Sequence, residues 1–314
     1  MKLSKKEILE VAKQFDLGKM LNYKLIEGGL ANYNYILKTN KGKFIIRIVG
    51  DTTRYKVEHL KLQFRVLYFL NESGFPYSVP YPLKTRDSKN ILKFGNKKVW
   101  VYRMLRGNNR KKANLIQMKQ MAKALAIYHK YIKNIKEKPT KDISIQRVLR
   151  GFRKMKNIKE KTEEDRLALQ YRDYFKDLFK KIKIDVPENR LFIHSDFDPS
   201  NVMFYNGKLD GIIDFDETNY APRVVDVAVS IRDLACANGR VDVKKAKIFL
   251  REYEKVSKLS KKEKKAIIPI ILFCNIDFFL WAYVSMKKMP QDRKKYMKEM
   301  IVLTKNMLKK SVKF

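Results

Sequence analysis

Alternating and β-branched runs are concentrated in the first ~110 residues of the chain, and helical spacing dominates the remainder. This order admits few folds: a small sheet with one helix beside it, a short connection, and a larger helical body, an α+β arrangement. A helix is expected from Lys5 to Phe15, then strands at Tyr23–Ile26, Tyr33–Lys38 and Phe44–Val49. Thr39-Asn40-Lys41-Gly42 joins the last two as a hairpin turn in which glycine supplies the positive φ. Val57, Leu60, Phe64, Leu67 and Leu70 recur at helical spacing, and Gly74 stands where that helix should stop. Pro76, Pro80 and Pro82 mark an extended connection to strands at Asn90–Phe94 and Lys97–Arg103, which turn at Gly95-Asn96. The polar stretch Arg106-Gly107-Asn108-Asn109 reads as a connection between lobes and divides the chain into residues 1–105 and 106–314. Helices are expected next at Leu115–Lys133 and Glu163–Lys180, strands return at Leu191–Ile193, Val202–Tyr205 and Leu209–Ile213 with a turn at Asn206-Gly207, and the rest is helical.

A length of 314 residues exceeds what one core usually holds, in keeping with two lobes. Hydrophobic residues at 45% and charged residues at 33% suit a globular chain. Lysine and arginine number 70 against 33 acids, a net charge of +37 that can attract nucleic acid, acidic membrane or phosphorylated ligands. The basic residues are spread along the chain in pairs such as Lys97-Lys98, Lys180-Lys181 and Lys309-Lys310, the pattern of a solvated surface. No specific nucleic-acid partner and no membrane partner is therefore expected; the lysine-rich stretch Lys258–Lys265 is the strongest contrary feature. The most apolar segment, Ala266–Met286, is interrupted by Pro269, Asn275 and Asp277 and reads as a core helix, so no membrane span is expected. The first residues lack the apolar stretch and cleavage site of a signal peptide. Cys236 and Cys274 have no neighbouring cysteine or histidine to complete a metal site. They fit small core residues in a reducing, cytoplasmic setting.

The segment with chemistry in it is Phe192-Ile193-His194-Ser195-Asp196-Phe197-Asp198-Pro199-Ser200-Asn201-Val202-Met203-Phe204, with Ile212-Ile213-Asp214-Phe215-Asp216 a short distance beyond. Four residues separate Asp196 from Asn201. Phosphoryl transfer needs a carboxylate at the acceptor hydroxyl and, at this spacing, an amide that reaches a metal. Asp214, at the end of a short strand, stands where a second metal ligand belongs. Mg²⁺ held by Asn201 and Asp214 would neutralise charge on the transferring group, and Asp196 would orient the acceptor and take its proton. Asp216 is placed to support the metal shell, and Asp198 is a weaker candidate. The competing reading makes these acids ordinary loop and turn residues; it weakens because both fragments occur in order between apolar strands. His194 reads as a buttress of the loop rather than a base, and His59 and His129 as structural.

These residues resemble the aminoglycoside phosphotransferase/choline kinase superfamily, most of all its homoserine kinase-like members, over about Phe15 to Met286. Gly28-Gly29-Leu30-Ala31-Asn32-Tyr33-Asn34-Tyr35 is similar to the family's nucleotide loop, Met104-Leu105-Arg106-Gly107 to its hinge, and Ala124-Leu125-Ala126-Ile127-Tyr128-His129 to a family helix. Arg223 to Ala228 resembles the segment whose Asp, here Asp226, braces the catalytic loop. The resemblance implies a bilobal protein-kinase-like fold, with a small antiparallel sheet lobe, a larger mostly helical lobe and ATP as the phosphate donor. Gly28, Gly29, Asn32 and Asn34 would meet its phosphates together with Arg47, and the backbone near Arg103, Met104 and Leu105 its adenine. A solvent-facing strand residue is the competing reading of Arg47.

Two departures stand out. The helix residue that should pair with Arg47 as a Glu is Gln63, with Glu58 as a possible substitute off the same face. The Ala266–Met286 helix lacks an arginine for an amino acid's carboxylate, leaving Asp277 among aromatic residues and Arg232 or Arg223 as alternatives. Homoserine is the leading acceptor on overall resemblance, with an aminoglycoside or amino-alcohol as the alternative, for which Asp198, Glu217 and Asp277 are available. A degenerate nucleotide- or polyanion-binding protein is the reading from another class.

Overall fold

The computed structural model describes residues 2–26, 33–49, 57–135, 144–185, 190–237, 239–287 and 290–309. The chain forms two compact units, residues 1–108 with 202–216 and residues 109–201 with 217–314.

In the first unit, α1 (Lys5–Gln14) is started by Ser4, whose hydroxyl accepts the Glu7 N–H while the Glu7 carboxylate accepts the Ser4 N–H. Strands β1 (Met20–Ile26), β2 (Tyr33–Thr39), β3 (Gly42–Val49), β4 (Leu92–Phe94) and β5 (Lys97–Arg103) form one antiparallel sheet in the order β1-β2-β3-β5-β4. Thr39 pairs with Gly42, so Asn40 and Lys41 make the turn expected from the sequence. Period-two burial turns Leu37, Phe44, Ile46, Ile48, Val99 and Val101 inward, where they pack with Ile8, Val11 and Leu17. The helix α2 (Val57–Glu72) sets Phe64 edge-on against Trp100 of β5. The same unit holds the hairpin β7 (Val202–Tyr205) and β8 (Lys208–Ile212), turned by Asn206 and Gly207 at φ 48° and 74°. Both values are left-handed, the geometry an Asn-Gly turn favours.

The second unit is helical apart from two short strand pairs: β6 (Arg190–Ile193) with β9 (Asn219–Pro222), and β10 (Cys236–Ala237) with β11 (Arg240–Val241). Its helices are α3 (Leu115–Ile132), α4 (Ser144–Lys154), α5 (Glu163–Lys181), α6 (Val224–Ala235), α7 (Val243–Glu254), α8 (Lys261–Ser285) and α9 (Pro290–Lys309). Helix α8 is the one described helix long and apolar enough to cross a membrane, and most of it is buried in this unit against α4, α5, α6 and α9. Its buried Asn275 donates to the Thr304 hydroxyl of α9 at 3.2 Å. Helix α4 is not marked out by periodicity. Gly151 in its middle lies so close to α8 that a Cβ there would meet the Leu280 Cβ at 2.9 Å, and glycine is what permits that approach. Burial pushes the Cys274 and Cys236 thiols up to about 11 and about 12; both side chains are partly buried and neither is in a disulfide.

Candidate active site

The candidate catalytic loop, residues 194–201, lies in the second unit between β6 and a 3-10 turn at Pro199–Asn201. Apolar Leu191, Phe192 and Ile193 anchor its start in the core, and the Tyr128 hydroxyl of α3 donates to the Phe192 carbonyl at 2.8 Å. Ser195 then takes φ 67°, a conformation costly for a residue with a side chain. Asp226, fully buried near the start of α6, accepts the His194 N–H at 2.8 Å and the Ser195 N–H at 2.6 Å. The same carboxylate accepts from His129 Nε2 at 3.0 Å, and His129 Nδ1 in turn accepts the Tyr253 hydroxyl at 2.7 Å. His194 is buried, and its Nδ1 lies 3.4 Å from the Asp196 nitrogen; the loop is thus held from α3, α6 and α7.

Asn201 closes the loop on Asp196. Its Nδ2 donates to the Asp196 carbonyl and to Asp196 Oδ2, both at 2.9 Å. With its donors committed, the Asn201 amide has an oxygen to offer a hard cation. Asp198 faces the loop itself, accepting the Ser200 N–H and hydroxyl at 2.6 Å each. Burial raises its carboxyl above the ordinary range, with Asp233 adding to the effect and the Ser200 donors opposing it.

Asp214, Asp216 and Arg47 are in the first unit. Asp214 follows β8 at φ 61°, again left-handed, and its carboxylate, 36% exposed, accepts Arg47 Nη2 at 2.7 Å. Arg47 points inward from β3 and also pairs with Asp216, so the solvent-facing alternative for this strand residue does not hold. Burial opposes its charge, but Asp214 and Asp216 outweigh that and hold the guanidinium well above its usual value. Gln63 Nε2 donates to Asp216 Oδ1 at 2.9 Å, and His59 Nε2 donates to the Asp216 carbonyl. Burial pushes the Asp216 carboxyl above its ordinary range, while Arg47 pulls it down.

Asn34 stands directly opposite Arg47 in the β2–β3 register, and its buried side-chain oxygen has no partner among the described residues. Gly28, Gly29 and Asn32 lie outside the described residues, as does the side chain of Glu58. At the expected hinge, the Arg103 guanidinium sits 5.1 Å over the Phe44 ring, and the Met104 N–H donates to the Lys43 carbonyl at 3.0 Å. Leu105 packs against Gly211 of β8.

Of the candidate acceptor residues, the second unit brings Glu217 and Asp277 together through a residue that no sequence motif marks. Arg147 of α4 donates through Nε to Asp277 Oδ1 at 2.8 Å, through Nη2 to Asp277 Oδ2, and through Nη1 to Glu217 Oε2 at 3.1 Å. Its side chain remains 37% exposed. Arg147 lies one helical turn before Gly151, and Asp277 one turn before Leu280, so the close α4–α8 approach brings the pair together. Arg232 instead pairs with Asp233 at 2.7 Å and lies 5.6 Å from the centre of the Phe278 ring. Arg223 is committed to Glu263, Ser257 and the Lys258 carbonyl.

Among the described residues no three His, Cys, Asp or Glu gather to hold an ion by themselves. The Asn201 amide oxygen in the second unit and the Asp214 carboxylate in the first are each of the donor type that a small hard cation takes, such a cation characteristically keeping water and phosphate oxygens in its shell. The unpartnered Asn34 oxygen opposite a buried arginine likewise fits a polar ligand such as a nucleotide with its cation.

The sequence model of the phosphotransferase enzyme family matches residues 22–257. Similar curated proteins include the homoserine kinase of Phenylobacterium zucineum, 26% identical over 275 residues covering 87% of this chain and 83% of that one. The homoserine kinase of Caulobacter vibrioides is 27% identical over 270 residues, 85% of this chain and 82% of that one. Among solved structures, a microcompartment-associated aminopropanol kinase superposes with a TM-score of 0.71 at 13% identity, covering 96% of this chain and 98% of that one. A spectinomycin phosphotransferase in complex with ADP and spectinomycin gives 0.66 at 17% identity, with 98% and 100% covered. The fold is protein-kinase-like, and the chain is an ATP-dependent phosphotransferase with an alcohol group as acceptor. It belongs to the phosphotransferase enzyme family, among the kinases of small molecules.

Proposed function

We propose that this kinase uses ATP with Mg²⁺ to phosphorylate the side-chain hydroxyl of homoserine, in the cytoplasm. The observation that carries the acceptor is Arg147 set between Asp277 and Glu217: one half-exposed guanidinium between two carboxylates offers a cation to an α-carboxylate and anions to an α-amine. The homoserine kinases similar over most of the chain support the same reading.

In the reaction, Asp196 orients the acceptor hydroxyl and accepts its proton as the oxygen bonds to the γ-phosphorus and ADP departs. Arg47 and Asn34 meet phosphate oxygens, and Arg103, Met104 and Leu105 flank the base. Asn201 and Asp214 would hold Mg²⁺, which when bound supplies positive charge against the transferring phosphoryl group. His194 and Asp226 keep the loop in shape, and Asp198 and Arg232 line the acceptor side as weaker contacts.

A second reading, an aminoglycoside or amino-alcohol acceptor, draws on the pair of acids: Arg147 bridges two carboxylates, Asp277 and Glu217. A panel of homoserine, its decarboxylated amino-alcohol, choline and aminoglycosides, followed by ADP release and by phosphorus NMR of the product, separates the two. Turnover of homoserine, abolished by Asp196→Asn, is expected. Turnover of the carboxylate-free amines alone would replace homoserine with the second reading.

A further inference from the structure

Arg47, Asp216 and Gln63 meet inside the first unit, and they are only 6%, 7% and 2% exposed. One carboxylate takes both partners: Asp216 Oδ2 accepts the Arg47 guanidinium of β3, and Asp216 Oδ1 accepts the Gln63 amide of α2 at 2.9 Å. His59, one turn earlier on α2, adds a third tie to the carbonyl of the same residue. Because Gln63 donates to a buried carboxylate, its neutrality matters. A glutamate at this position would set two buried carboxylates in contact, with one guanidinium already shared between Asp214 and Asp216.

We infer that Asp216 is the positioning carboxylate for Arg47 and that Gln63 is its required neutral partner, so an anion that aims this arginine comes from the segment after β8. The inference rests on the reading of Arg47 as a phosphate contact. Asp216 acts through Arg47, holding the guanidinium in one rotamer before a nucleotide arrives and reducing the ordering needed at binding. The amide of Gln63 fixes the second oxygen of that carboxylate and so its plane. Where helix α2 is expected to supply an acid it supplies a donor, so charge and donor have exchanged places.

The test uses the full chain with Gln63→Glu, Asp216→Asn and the double variant. Affinity for a non-hydrolysable ATP analogue with Mg²⁺ is read by calorimetry, alongside thermal unfolding and the split between KM for ATP and kcat. Each single variant is expected to weaken analogue binding by roughly tenfold or more, the size of coupling found between buried contacting charges. The double variant returns one carboxylate and one amide with their positions exchanged, and is expected to bind within about threefold of the parent. Gln63→Glu binding like the parent, or a double variant no tighter than Asp216→Asn, overturns the inference. Should Gln63→Glu fail to fold, rescue of Asp216→Asn by the second substitution still decides, since neither of those variants carries two opposed carboxylates. Arg47→Met tests the underlying reading separately. Unchanged analogue binding in that variant removes the phosphate contact and the inference with it, whereas weakened binding with a neutral Gln63→Glu removes the inference alone.

Discussion

Asp226 Oδ1 lies 2.6 Å from the backbone nitrogen of Ser195, and Ser195 is held there at φ 67°. A buried carboxylate thus stabilises a left-handed residue immediately before Asp196. Asp226→Asn would aim an NH₂ at one of three donors, the N–H of His194, the N–H of Ser195 or Nε2–H of His129. A loss of about 2–4 kcal/mol in unfolding free energy is expected, with a fall in kcat larger than any change in KM. Denaturant unfolding and steady-state kinetics on one preparation check both. Ser195→Gly, which removes the steric cost at that φ, is expected to preserve stability and transfer.

Arg147→Met would leave Asp277 and Glu217 facing each other without the cation they now share. The KM for an amino-acid acceptor is expected to rise about tenfold or more while the KM for ATP holds. Asp277→Asn removes the anion instead, and is expected to hurt an acceptor with a free amine more than one without. Paired acceptor and nucleotide titrations of the two variants carry the comparison.

Glu263 supplies an acid-dependent part of stability. Burial favours its neutral form, but the Arg223 guanidinium at 2.7 Å and the Ser260 N–H at 2.7 Å outweigh that and lower its pKa. A folded-state pKa below the unfolded one gives stability that is present above the unfolded value of about 4.5 and lost as pH falls through the lower folded value. Thermal midpoints of the parent and of Glu263→Gln are therefore expected to differ near neutral pH and to converge as pH falls below 4.5 and through the lowered folded value.

The small sheet and its turns were legible because their signals are local. Thr39 to Gly42 and Asn206-Gly207 carry their turn chemistry in the residues themselves. The spacing of Asp196 and Asn201 was legible for the same reason, as two residues with four between them in a short loop that one side chain closes. Arg147 was invisible: its partners lie 70 and 130 positions away, and nothing in its own helix marks it as different from a surface arginine. Gln63 stood out only as a departure. Its meaning depends on Asp216, 153 residues later, which no periodicity links to α2. Long-range pairs of charges are set by how helices approach, and that approach is decided by features as small as the missing side chain of Gly151.

Helix α8 combines a span-like apolar sequence with polar groups that reach its neighbours: the Asn275 amide donates to Thr304 of α9, and Asp277 accepts from Arg147 of α4. During synthesis that helix emerges before α9 exists to cover it. A nascent or truncated chain ending ahead of Pro290 would therefore present an apolar surface attractive to chaperones or to a lipid bilayer. The packing of α9 on α8 helps to keep this segment in the interior of its unit.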